Sequence, residues 1–238
     1  MSDPEDNENA AEEIPAENLL TKSAPPPSRL SVIHLLGWIT AVAVLLAVWE
    51  PLFQSQPQQD GLEIFCNIFN CVLWGIAVCS VFLMLARRRK RLPFPVEPGE
   101  WILVTSGLST MIYLAAASLS TALPRDIYYA NRWPIQIGLW LALLPDLWAI
   151  RRVQPRRWKG FFWVSLLVGL TWNLVMQARL GFVTYSQFHF AWAALMILTV
   201  SLPWRTDRRE GIDRGWLHRV GLAFAYLSAL NAIIFALS

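Results

Sequence analysis

The chain has 238 residues, 55% of them hydrophobic and 13 of them Trp. Its mean hydropathy is +0.39, which places it outside the soluble globular range and inside the membrane class. The net charge of +3 conceals two materials: residues 1–30 hold seven acids against Lys22 and Arg29, while residues 31–238 hold 18 bases against 10 acids.

The first 30 residues are rich in Glu, Asp, Asn, Ala and Pro, with a Pro25-Pro26-Pro27 run. They carry too little apolar surface to offset the entropy of ordering, so a disordered cytoplasmic tail is expected. The leading residues are acidic and no apolar region precedes residue 31, so a cleaved signal peptide is not expected and the first span serves as an anchor.

From there the expected fold is an all-α membrane protein, a seven-transmembrane-helix bundle over residues 31–238. A helix needs about 20 apolar residues to cross a hydrocarbon core of ~30 Å. The candidate spans are about 31–49, 62–86, 100–122, 133–150, 160–178, 186–203 and 217–237. The first carries His34 and ends toward Pro51. The second carries Glu63, Asn67 and Asn70 at i, i+4 and i+7, one helical face shared with Cys66 and Trp74. Its cysteines, Cys66, Cys71 and Cys79, are spaced so that no disulfide can form within the helix. The third is rich in small residues (Ser106, Thr110, Ala117, Thr121), a close-packing surface.

The fourth span begins at Pro134, where a missing N–H costs nothing, and presents Gln136; Pro145-Asp146 breaks it near its end. Asp146 is expected to reach the Arg151/Arg152 cluster. The fifth places Gly169, Asn173 and Gln177 on one stripe. The sixth opens with Gln187 and His189 and closes at Pro203. The seventh carries His218, a Gly221-x-x-x-Ala225 packing surface and Asn231. Trp49, Trp101, Trp133, Trp148, Trp158, Trp163, Trp204 and Trp216 fall near the ends, where an indole rests in the interface.

Charge fixes the orientation. Arg87–Arg91, Arg151–Lys159 and Arg205–Arg219 hold five Lys/Arg each, and the loops between hold none, two and one. Basic loops stay inside, so the N-terminus is expected in the cytoplasm and Ser238 outside, in a bacterial inner membrane. A six-span alternative without the fourth helix would put Arg87–Arg91 on the side opposite the other two clusters. The Arg87-Arg88-Arg89-Lys90-Arg91 run follows an apolar span directly, so it reads as a topology determinant and a contact for anionic lipid headgroups, with no nucleic acid as partner.

Once oriented, the polar residues converge. Asn67 and Asn70 lie roughly 8 and 12 Å below the outer boundary at 1.5 Å per residue. With Glu63, Gln136, Asn173, Gln177, His189 and Asn231 they define a candidate outward-facing polar pocket, since amides in hydrocarbon must meet partners or water. No catalytic motif and no cofactor is expected. The three histidines divide between leaflets, which disfavours zinc; a bis-histidine haem on His34 and His218 lacks depth and a second pair; no lysine lies inside a span for a retinal; and no P-loop, CxxC or serine elbow occurs. Three functions follow in order: solute binding or permeation through the polar layer, a non-catalytic accessory subunit with a membrane-protein partner whose polar groups only join helices, and an intramembrane enzyme acting on lipid.

Overall fold

A computed structural model describes residues 32–53, 61–122, 132–178 and 182–237; the acidic tail lies outside them. The described residues form eight α-helices and one 3-10 turn. They are α1 (Val32–Phe53), α2 (Gly61–Arg89), α3 (Pro98–Ala122), α4 (Arg132–Leu141), α5 (Leu144–Arg152), α6 (Lys159–Ala178), α7 (Phe182–Arg209) and α8 (Trp216–Leu237), with the 3-10 turn Arg156–Trp158 between α5 and α6. Because α4 and α5 are two pieces of one rod, the helices make seven rods, the expected number. Four of these, Gly61–Arg89, Pro98–Ser120, Trp133–Arg152 and Trp216–Leu237, are long and apolar enough to cross a membrane. α6 and α7 are not among them, in keeping with their Asn, Gln, His and Trp content.

α2, α3 and α8 form the centre. Leu73, Ala77 and Val81 pack with Ile102, Leu103 and Val104, and with Leu222, Ala225 and Ala229. Phe65, Ile68, Phe82 and Leu85 on α2 and Leu195, Leu198 and Leu202 on α7 remain exposed. Burial of apolar area drives packing in water, whereas lipid tails solvate such residues as well as protein does. Small residues let the central helices meet: a Cβ on Gly221 would fall on the carbonyl oxygen of Gly99, and one on Gly107 on that of Ala77.

The three basic segments come together at one end. Glu97, before α3, accepts the Gly215 N–H at the start of α8 (3.0 Å to each carboxylate oxygen). Reciprocally, His218 of α8 accepts the Gly99 N–H through Nδ1 at 2.8 Å. Glu100 turns back to take the N–H groups of Val96 and Glu97, at 2.8 and 3.2 Å. Orphan donors of both helix N-termini are thereby satisfied by side chains. Arg157 bonds both carboxylate oxygens of Glu210, at 2.8 and 2.7 Å. Segments 87–98, 151–159 and 205–219 therefore share one end of the bundle.

Proline marked two ends wrongly, and the first is that of α1, which continues through Pro51 to Phe53. α7 continues through Pro203 to Arg209, because the extra turn carries Asp207 and Glu210 onto Arg157. It stops at Gly211, whose φ of 68° suits a residue without a Cβ. The Ile212 N–H bonds the Asp207 carbonyl at 3.0 Å, and the reversed chain brings Arg214 back to the Asp207 carboxylate.

Candidate functional site

The site begins with the broken rod. Pro145 has no N–H to donate, so the helix cannot continue unchanged past Leu141. The Leu143 N–H turns to the Trp140 carbonyl at 3.2 Å, which leaves the Leu139 carbonyl without its helical donor. Asn173 Nδ2 supplies one from α6 at 3.2 Å. Ser109 Oγ of α3 donates to the Ala142 carbonyl at 2.6 Å. Backbone irregular at membrane depth is tolerated where neighbours or a cavity satisfy it.

Beside the break lies a cavity of about 350 Å³ among α3, α4, α5, α6 and α7. Ser106, Ser109, Asp146, Ser165, Asn173 and His189 give it polar groups, and Leu139, Leu143, Trp172, Phe188 and Trp192 give it apolar walls. Ligand cavities run from about 300 to 1,000 Å³ and combine mostly apolar walls with a few placed polar groups. A second cavity of about 40 Å³ is lined by Gln136, Leu139, Trp140, Asn173 and Gln177, so Asn173 borders both. An apolar groove of about 230 Å³ nearer the basic end runs past Leu35, Trp38, Leu103 and Val220. Its one hydroxyl, on Ser80, is bonded to the Ala77 carbonyl at 2.6 Å. Nothing there would orient a polar solute.

Asp146 does not reach toward Arg151 and Arg152, which are exposed. It turns inward, 8% exposed, and accepts the Ser165 hydroxyl at 2.8 Å. The physical reason is the break: α5 restarts with Pro145 in its first turn, which rotates Asp146 onto α6. The imidazole of His189 is stacked on Trp172, centroids 5.5 Å apart, and meets Phe235 edge-on at 5.7 Å.

The sequence-predicted residues divide. Asn173 and His189 line the larger cavity, and Gln136 and Gln177 join Asn173 at the smaller one. Asn231 is buried against α2, its Nδ2 donating to the Cys66 carbonyl at 3.3 Å. Glu63, Asn67 and Asn70 are half-buried on α2 and are not among the residues lining either cavity. Ser106, expected on a packing surface, lines the cavity instead, and Ser109 and Ser165 went unread. Ser165 had a signal: Ser165, Gly169, Asn173 and Gln177 follow at i, i+4, i+8 and i+12, one stripe of α6.

Among the described residues these features define an all-helical architecture with four membrane-length helices and a polar cavity against a helix break. No family, curated protein or solved structure matches the chain.

Proposed function

We propose that the chain is a seven-span integral membrane protein of the bacterial inner membrane whose basic end faces the cytoplasm, and that it binds or passes a small solute through the cavity at the broken fourth rod. The observation that carries this reading is the cavity itself: polar groups from four helices, with Asp146 and Asn173 buried, line a space large enough for a ligand, beside backbone held open by side-chain hydrogen bonds. Discontinuous helices are a recurring way to present polar groups to a solute within a bilayer. The exposed Arg88, Arg89, Lys90 and Arg91 supply a surface for anionic headgroups in the same frame.

Water in the cavity is the decisive property. In a background without Cys66, Cys71 and Cys79, Asn173→Cys and Ser109→Cys are expected to react with a membrane-impermeant thiol reagent added from outside, since the reaction needs water and a thiolate. Asn231→Cys is expected to stay protected by its dry contact with α2. Protection at both 173 and 109 would leave the accessory-subunit reading, which draws on the Asn231–Cys66 contact as interhelical bonding.

Orientation is checked separately. A reporter active only outside the membrane is expected to be active when fused after Ser238 and silent when inserted within 92–98; the opposite pattern would reverse the assignment of the basic end.

A further inference from the structure

The lining of the larger cavity selects among solutes by charge. Asp146 is more than nine-tenths buried, and among the described residues no Lys or Arg lines the cavity or forms an ion pair with it. Ser165 gives one carboxylate oxygen a hydrogen bond but no counter-charge. A buried carboxylate without a cation is costly, and an anionic solute entering this space would add repulsion to that cost. The same cavity is lined by aromatic rings held in place by one another: Trp172 packs on Phe188 at 5.1 Å and on His189 at 5.5 Å, and His189 meets Trp192 at 6.4 Å. Indole faces attract cations, most strongly where water is excluded.

From the carboxylate and the aromatic wall together, we propose that the cavity binds a small organic ammonium ion, with Asp146 as its counter-charge, the indoles of Trp172 and Trp192 along its alkyl groups, and the hydroxyls of Ser106 and Ser109 for a polar substituent. The proposal rests on the solute-binding reading above and gives it a chemical class. A neutral polyol would leave the carboxylate uncompensated, and a free inorganic cation would gain nothing from the large apolar wall.

The test uses the full chain purified in detergent and a panel of choline, tetraethylammonium and phenethylammonium. It also uses 3,3-dimethylbutan-1-ol, the neutral carbon counterpart of choline, and acetate. Binding is read by quenching of Trp fluorescence and by calorimetry. At least one ammonium is expected to saturate, the alcohol and acetate are not, and Asp146→Asn is expected to weaken the ammonium at least ten-fold while its melting profile and elution match the wild type. Should Asp146→Asn fail to fold, Trp172→Leu is expected to weaken the same ligand with acetate still excluded. Equal binding of the alcohol, an unchanged affinity in folded Asp146→Asn, or proton uptake without binding of any ammonium overturns the proposal. Thiol labelling at 173 separates the two levels: labelling without ammonium binding refutes the ligand class and leaves a wet solute site, whereas protection refutes both.

Discussion

Replacing Asp207 with Ala is expected to destabilise the bundle by about 3 kcal/mol or more, the scale for removing one partner of a buried charge network. Asp207 is 1% exposed and its carboxylate joins three elements. One oxygen takes the Trp158 indole N–H at 3.1 Å and the Arg214 guanidinium at 3.1 and 2.9 Å, and the other pairs with Arg157. Without it, Trp158, which is fully buried, keeps an N–H with no acceptor, and Arg214 keeps a partly desolvated charge. Arg157 retains Glu210, so the loss falls on the other two. The comparison is Asp213→Ala: its pair with Arg219 is open to solvent on both sides, and exposed pairs contribute from nothing to about 1 kcal/mol. Denaturant unfolding in detergent, followed by Trp fluorescence, checks both. An Asp207→Ala midpoint equal to that of Asp213→Ala would show that the basic end is held by packing alone.

That network is an instance of what the sequence conceals. Alternating charge and apolar length were enough to give seven rods and a shared end for the three basic segments. Pro145 announced a break, which falls at Ala142–Leu143, nearer the middle of the rod than its expected place near the end. These signals could not say which side of each helix faces inward. In a water-soluble helix an apolar stripe marks the core, but on α2 the exposed Phe65, Ile68, Phe82 and Leu85 are as apolar as the buried Leu73, Val78 and Val81. The rotation of α2 is therefore not written in its hydrophobicity, and depth alone grouped Glu63, Asn67 and Asn70 with residues of other helices. The same blindness hid Ser106 and Ser109, since small residues at helical spacing suit a packing seam and a cavity wall alike. Polar stripes carried more. Gly169, Asn173 and Gln177 pointed at the cavity because amides must be satisfied, and extending that stripe by one turn reaches Ser165 and, through it, Asp146. Pro203 misled for a related reason: a proline's lost hydrogen bond is local, whereas the Asp207 and Glu210 contacts that keep α7 helical beyond it are made to a distant segment.

The crossing of α3 and α8 is expected to be the least tolerant packing contact. Both helices start at the basic end, with the Glu97 carboxylate on the Gly215 N–H and the His218 imidazole on the Gly99 N–H. This mutual capping fixes their axial register, so the contact one turn further in cannot be relieved by sliding. There the obstacle to a Cβ on Gly221 is the backbone of Gly99, its carbonyl oxygen, carbonyl carbon and Cα, rather than the movable end of a side chain. Overpacking a close-packed core typically costs about 1–3 kcal/mol. Gly221→Ala is expected at the upper end of that range, and Gly221→Val beyond it, with loss of the folded fraction on size exclusion. A Cβ on Gly160, at the start of α6, would meet nothing within 4 Å, so Gly160→Ala is expected to be neutral, or to gain up to about 1 kcal/mol from helix propensity. If the two alanine variants unfold at the same denaturant concentration, α3 and α8 have room to separate, and the reciprocal caps at their N-termini do not hold them in register.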